Sequence, residues 1–458
     1  MRSGLFFVAG EAVFLGILFL PDARRHLTAY LLLFFAGSLL SLFAARSLSA
    51  SPRRFVLLCA AAFRLTLLFR APDLSSDVHR YIWDGRVAAS GASPYAFAPA
   101  DAPESFSRDL RSRLDYVEYR SVYPPVAQAA FRAVAFLPGD GLFVMKAIFA
   151  AADVAIVALI FSMGGTGARF GAALYAFHPL PVTETAGQGH LDALGVALLL
   201  ASAVYLVRRR PLSSGIAFAA ALLVKYVPLA AAPALLRRGG LRFAAAAIAV
   251  TAALWVLASR GGVSPAAGLG PYATRWEFNS VLYPAAAAAV DATDLPIRAK
   301  AAYERWKAKR EYRPWMQRIY PYFYTAFFAR AFLGALLAIA LLAIALKVGD
   351  LELAVFASLG ALLFASPTLH PWYLLWVLPF AAKRREPAFL YLCTAAPLSY
   401  GLLYPLAGGT PLAIRVAEYG PFAVLLGWGL WRGVRSPLAT SRRDVARASR
   451  HGVRCDDW

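Results

Sequence analysis

Residues 211–236 read PLSSGIAFAAALLVKYVPLAAAPALL, two apolar arms broken at Val224-Lys225-Tyr226-Val227-Pro228. A hydrocarbon core of about 30 Å needs about 20 apolar residues of helix, so each arm, at about ten residues, has half the length of a crossing. A re-entrant hairpin or broken helix with Lys225 near its tip fits that length. The alternative, one full crossing with Lys225 buried halfway, inverts every later loop. The choice sets the topology of the chain. Only with the hairpin do Arg53 and Arg54, Arg208 to Arg210, Arg237 to Arg242, Lys383 to Arg385 and the Arg-rich tail after Arg432 share one side. Clusters of Lys and Arg in short loops mark the cytoplasmic side.

Outward from this stretch, apolar segments recur along nearly all of the 458 residues. About twelve spans are expected. They lie near residues 3–20, 27–45, 55–70, 141–163, 168–180, 190–207, 242–259, 322–346, 350–366, 370–382, 388–405 and 418–432. The first lacks a clear small-residue cleavage site and reads as a retained helix, not a signal peptide. Apolar residues make up 60% and charged residues 16%, against roughly 25% charged in soluble domains, which argues against a soluble fold. The excess of 47 Lys and Arg over 26 Asp and Glu then reads as basic membrane flanks, with no nucleic-acid partner. Cys59, Cys393 and Cys455 are too scattered for a disulfide framework or a CxxC metal site.

The expected fold is an all-α polytopic membrane protein. Residues 1–435 form one multi-span domain and residues 436–458 a basic cytoplasmic tail, with both termini cytoplasmic. Two long loops, 71–140 and 260–321, fall on the outer face. The second carries many Arg and Lys between Pro296 and Arg318, although long loops obey the charge rule poorly.

The outer segments hold the unusual residues. After the third span comes Asp73-Leu74-Ser75-Ser76-Asp77-Val78-His79-Arg80-Tyr81-Ile82-Trp83-Asp84-Gly85-Arg86-Val87. Ser75 or Ser76 can cap a helix there, which places Asp77 in a first turn that favours an ionised carboxylate. Arg80, Tyr81 and Asp84, three, four and seven residues on, share its face. Asp77 could take a proton from a hydroxyl while Arg80 meets a phosphate; the other reading is a capped amphipathic helix on the bilayer with solvated charges. Gly91 to Tyr95 and Ser121 to Gln128, with Tyr123 between them, read as rigid corners. Glu184, His190, Asp192 and Lys225 are ionisable groups at membrane depth, each a site candidate or a satisfied structural residue. His190 and Asp192 share a helical face only if a helix begins between them, and no HExxH spacing supports a metal. Trp276-Glu277-Phe278-Asn279 and Ser366 to Tyr373, with His370, Trp372 and Tyr373, set polar groups among aromatics suited to a sugar or to an interfacial belt. Arg64, inside the third span, is either a phosphate ligand or a buried structural ion.

In order, Ser76 to Val87, Gly91 to Tyr95, Val122-Tyr123-Pro124-Pro125, Gly189-His190-Leu191-Asp192, Lys225-Tyr226-Val227-Pro228 and His370-Pro371-Trp372-Tyr373 resemble the bacterial polyprenyl-phosphate-mannose-dependent mannosyltransferases. That group includes the α-(1→6)-mannosyltransferases of lipomannan assembly. A fainter similarity reaches the eukaryotic first mannosyltransferase of glycosylphosphatidylinositol anchor synthesis. The resemblance implies a GT-C fold in a bacterial plasma membrane and inverting transfer of a sugar, most naturally mannose. The donor would be a polyprenyl phosphate and the acceptor a cell-envelope glycan or glycolipid on the outer face. Its acidic residue falls on Asp77, as general base. The candidate substrate-binding residues are then Arg80, Tyr81, Asp84, Arg86, Tyr95, Tyr123, Glu184, His190, Asp192, Lys225, Asn279, His370, Trp372 and Tyr373. Where some relatives carry Asp-x-Asp this chain has Ser75, so no metal or other cofactor is expected, although a divalent ion stays open. A transporter or lipid-linked-glycan flippase is the competing reading, since Lys225, Glu184 and Asp192 could line a pathway.

Overall fold

The computed structural model describes residues 2–435 except 104, 105, 107–109, 261, 405 and 407–409; the expected basic tail lies outside them. The described residues are helical, with no strand beyond a single parallel bridge between Phe278 and Thr368. The chain opens with α1 (Arg2–Phe19), α2 (Leu27–Leu48) and α3 (Arg53–Leu68). The first long loop holds α4 (Asp77–Ala89) and α5 (Pro125–Ala135). Next come α6 (Gly141–Met163), α7 (Ala168–Phe177), the turn α8 (Pro179–Pro181), α9 (Asp192–Val207), α10 (Pro211–Leu222) and α11 (Ala232–Ala258). The second long loop folds into α12 (Leu269–Arg275), α13 (Tyr283–Ala292) and α14 (Leu295–Lys307), followed by α15 (Thr325–Lys347) and α16 (Leu351–Ala365). Then α17 (Leu378–Arg384), α18 (Pro387–Ala395) and α19 (Pro411–Arg435) complete the bundle.

Four helical stretches are long and apolar enough to cross a membrane: Leu27–Leu48, Gly141–Met163, Val227–Ala258 and Thr325–Lys347. Among the other expected spans, two are broken up where Pro and ionisable residues interrupt them. The stretch near 168–180 ends at His178-Pro179 and passes into a π-turn, Val182–Gly187. The stretch near 370–382 begins as a 3₁₀ turn, Pro371–Trp376. Inside Val227–Ala258 the backbone kinks at Gly240, whose φ of 62° suits only a residue without a Cβ.

The segment around Lys225 follows α10 and lies beside the start of α9. Lys225 Nζ meets Asp192 Oδ1 at 2.8 Å at the start of α9, and ten residues further along α9 Ser202 Oγ meets Ser214 Oγ at 2.9 Å in α10. These two contacts make α9 and α10 antiparallel and set Lys225 at the Asp192 end. Twelve residues past Lys225, Arg237 donates to the carbonyl of Ala345 near the C-terminus of α15. Three and five residues past that helix, Asp350 and Glu352 hold Arg384 at 3.1 Å and Lys383 at 2.5 Å. Arg330, near the other end of α15, donates to the carbonyl of Trp276, which borders the same cavity as Lys225, so Arg237, Lys383 and Arg384 gather at the end away from Lys225.

Charges inside the helical body are matched. Arg64 Nε contacts Asp153 Oδ2 at 2.8 Å, its Nη1 donates to Ala176 O at 2.8 Å, and Tyr175 donates to Asp153 Oδ1 at 2.5 Å. This settles Arg64 as a structural ion that ties α3, α6 and α7 together. Lys146 donates to Leu67, Leu68 and Arg70 carbonyls at 3.3, 2.9 and 2.5 Å, a cation on the negative end of α3. Removing one partner of a buried pair strands the other, at about 3–5 kcal/mol. Asp153→Ala is expected to lower the thermal midpoint in detergent by the equivalent of that cost, and Arg64→Leu with Asp153→Leu to recover most of it. A double variant no more stable than the single one would contradict this reading.

Candidate active site

The first wall of the site is α4. Asp77 opens the helix; its N–H donates to Ser75 Oγ at 3.3 Å, while Ser76, at the cap position, donates instead to Asp115 Oδ2 at 2.6 Å. One turn on, Arg80 Nε donates to Asp84 Oδ1 at 2.9 Å. Asp84 also accepts from Ser121 Oγ at 2.5 Å and Gln128 Nε2 at 2.8 Å, so it is spent on bolting α4 to the corner at 121–128. A Cβ on Gly85 would lie 2.3 Å from Phe131 O, which is why α4 and α5 pack this closely. Tyr81 stacks on Phe131 at 4.7 Å, and Tyr95 donates to Tyr123 O at 3.0 Å, fixing that ring's backbone from behind. The segment leading into α4 is held by Gln188 Oε1, which accepts from Asp73 and Leu74 N–H at 3.0 and 2.9 Å.

The second wall comes from the π-turn, the start of α9 and the segment at Lys225. Gly189 has φ of 81°, and a Cβ there would lie 2.9 Å from Val78 Cγ2 in α4. Glycine is therefore required just before His190. The buried His190 ring lies between two carboxylates, with Nδ1 3.6 Å from Asp77 Oδ2 and Nε2 3.5 Å from Glu184 Oε2. Glu184 accepts from Tyr400 OH at 3.0 Å. Asp192 receives Lys225 and, at 2.6 Å, the indole N–H of Trp376.

The third wall is a column of rings. His190 stacks on Trp372 at 3.8 Å, Trp372 on His370 at 4.3 Å and His370 on Phe278 at 4.4 Å. Phe278 reaches this position because Leu369 N–H donates to Phe278 O at 2.7 Å. Lys225 Nζ sits 4.2 Å from the centre of the Tyr373 ring, a cation over an aromatic face, and Tyr373 shares a hydrogen bond of 2.7 Å with Tyr272.

These walls enclose a cavity of about 250 Å³. Of the expected site residues, Asp77, Arg80, Tyr81, Tyr123, Lys225, His370, Trp372 and Tyr373 line it. Asp84, Glu184, His190 and Asp192 stand behind that lining and hold it. Three others lie away from the cavity. Tyr95 is a brace, the exposed Arg86 borders a separate small hollow, and Asn279 donates to Glu418 Oε2 at 2.8 Å. Eight tyrosines line the cavity together with Trp276 and Trp372, so its surface suits a sugar ring. Tyr226 lies in the motif that follows Lys225, whereas Tyr116, Tyr119, Tyr272 and Tyr404 have no sequence signal beyond the aromatic density of the outer segments. Among the described residues no group of three or more His, Cys, Asp or Glu is arranged to hold a metal ion.

Asp77 combines access with an unusual proton affinity. Its side chain is 36% exposed, into the cavity, yet burial in the surrounding protein lifts its carboxyl to about 6, with Lys225 pulling the other way. The helix terminus alone predicts a carboxylate ionised over the whole physiological range; burial amends this to one that is ionised at neutral pH and protonated in mild acid. Such a group is matched to accepting a proton near pH 7. Around the same cavity, Lys225 and Arg80 supply positive charge. Arg80 Nη2 and His370 Nδ1 are buried with no hydrogen-bond partner among the described residues, donors or acceptors held ready for a ligand.

Residues 9–238, just over half of the chain, match the family model described as alpha-(1->6)-mannopyranosyltransferase, N-terminal domain (MptA_B family). No curated protein and no solved structure matches. The matched region contains Asp77, Arg80, Glu184, His190, Asp192 and Lys225 and stops short of the ring column contributed by His370 and Trp372. A helical membrane protein in which that region supplies two of three cavity walls belongs to the alpha-(1->6)-mannopyranosyltransferase family and is a mannosyltransferase-like glycosyltransferase.

Proposed function

We propose that this chain moves a mannosyl group from a polyprenyl-phosphate donor to a hydroxyl of a glycan or glycolipid acceptor, with inversion, and that Asp77 is the general base. One observation carries the reading: a carboxylate poised near neutral pH, two cationic side chains and an unpartnered imidazole nitrogen border one aromatic-lined cavity. In the proposed step the acceptor oxygen attacks the anomeric carbon and its proton passes to Asp77. The bond from that carbon to the phosphate oxygen breaks, and the lipid phosphate leaves with both electrons. Lys225, Arg80 and His370 meet the charge that develops on the phosphate, the larger share of catalysis in reactions of this kind. A β-linked donor yields an α-linked product.

Membrane placement follows the same reading. The isoprenoid tail holds the phosphate at the level where apolar helices give way to polar loops. The cavity end of the bundle is then the outer, periplasmic or extracellular face of a bacterial plasma membrane, in a GT-C arrangement of about twelve spans. Residues 211–236 form the re-entrant hairpin and both termini are cytoplasmic. Support comes from the position of Arg237, Lys383 and Arg384 at the opposite end from Lys225.

The test is turnover of the purified protein with a defined polyprenyl-phosphate mannose. Asp77→Asn is expected to lower kcat by about 10²–10⁴-fold with donor affinity retained. Because the folded protein raises this carboxyl above its unfolded value, the ionised form costs stability as pH rises through about 6, so the Asn variant is expected to unfold no earlier than the parent at neutral pH. Turnover like the parent's would overturn the assignment of Asp77. A second measurement is the pH dependence of kcat/KM, expected to climb through an apparent pKa of about 6 to a plateau. A flat profile from pH 5 to 7 would contradict proton uptake by this group.

A further inference from the structure

The second outer loop carries a feature the transfer reaction does not use. The 28 residues from Leu295 to Tyr322 hold eight Lys and Arg against two Glu. Both acids are already engaged: Glu304 accepts from Tyr320 at 2.5 Å and lies 3.9 Å from Lys307, and Glu311 pairs with Arg313 at 2.9 Å. Six cations remain, Arg298, Lys300, Arg305, Lys309, Arg310 and Arg318, all exposed and without an acidic partner among the described residues. Beside them Ile297, Tyr312, Trp315 and Tyr322 stand exposed at 68, 57, 48 and 48%. Of these, Trp315 belongs to a ring cluster with Tyr303, Trp306, Tyr320 and Phe323, and Tyr322 packs on Phe327.

Two aspects of position give this patch its meaning. The 3₁₀ segment Pro314–Tyr322 ends three residues before Thr325, where a helix long and apolar enough to cross a membrane begins, so the patch lies at the level of lipid headgroups. It also sits at the cavity end, because Arg330 in that helix donates to Glu277 Oε1 at 2.8 Å and to the carbonyl of Trp276, a cavity residue. Positive charge at that end is not the charge that retains loops in the cytoplasm. Basic clusters next to a span, interleaved with Trp and Tyr, are the chemistry that binds anionic lipid headgroups.

We infer that residues 295–322 form a docking surface for anionic phospholipid headgroups of the outer bilayer surface, next to the cavity mouth. Lys and Arg lay their stems along the aromatic platform and extend their charges to the phosphates, while Trp315 and Tyr322 enter the interface. Which bilayer surface this is rests on the proposed placement of the cavity end; contact with anionic headgroups does not depend on the donor.

Full-length protein reconstituted in bilayers of phosphatidylcholine with phosphatidylglycerol is the test material. The probes are photoactivatable phosphatidylglycerol and photoactivatable phosphatidylcholine, with adducts mapped by peptide mass spectrometry. On residues 295–322 the anionic probe is expected to exceed the neutral one by about tenfold at low salt, and the difference to shrink as salt screens the charges. Lys300→Gln combined with Arg305→Gln, Lys309→Gln and Arg310→Gln is expected to abolish the preference with the thermal midpoint kept. If that variant does not fold, the salt series on the parent protein decides. Equal labelling by the two probes would overturn the inference. So would adducts confined to the spans, or displacement of neither probe by salt while a soluble acidic glycan binds the patch.

Discussion

The contact between Lys225 and Asp192 is the constraint on which the cavity depends. A fully buried carboxylate is costly unless paired, and among the described residues Asp192 is held by the ammonium at 2.8 Å and the indole N–H of Trp376. Satisfying it draws the break between α10 and α11 up against the start of α9, and draws the 371–376 turn in from the other side. The same ammonium then overlies Tyr373 and lowers the proton affinity of Asp77. One ion pair thereby sets the shape of two walls and part of the electrostatics of the third.

Much of this was legible from residue chemistry alone. A lysine followed by Val-Pro inside an apolar stretch announces a break, and single ionisable groups in apolar surroundings announce Glu184, His190 and Asp192. The role of Asp77 in opening α4 follows from two serines and a carboxylate in sequence. What stayed hidden depended on averaging or on distance. Lys146 and Asp153 vanish into a 23-residue apolar helix, because hydropathy sums over a window and cannot see that α3 ends beside one and Arg64 lies beside the other. Asp84 and Arg80 share a face with Asp77, but the sequence does not contain the distant Ser121 and Gln128 that claim Asp84. Asn279 stands in a polar-aromatic cluster as expected, yet its amide turns to Glu418, almost 140 residues away. The missed tyrosines belong to loops whose course is fixed only when the bundle has closed.

The fold also separates two uses of charge. At one end, cations are consumed by carbonyls and carboxylates: Arg237 by Ala345, Lys383 by Glu352 and Arg384 by Asp350. At the other end, Lys225 pairs with Asp192 while standing over Tyr373, and Arg80 pairs with Asp84 while its Nη2 has no hydrogen-bond partner among the described residues. A cation spent wholly on distant protein groups is structural; one that also borders the cavity keeps part of its charge within reach of a ligand. A chain of this composition places the second kind where the helices open.

The four-ring column of His190, Trp372, His370 and Phe278 joins segments about 180 residues apart in the chain, and each ring lies within 15° of the next. Flat rings in contact slide or tilt only together. Each member therefore inherits the orientation of its neighbours, and the imidazole edges beside Asp77 and inside the cavity are aimed by Phe278, which stacks on His370 and lies outside the cavity lining. Enlarging or shrinking Phe278 would re-aim both imidazoles at once, so the spacing between base and phosphate ligands is governed from a residue outside the cavity.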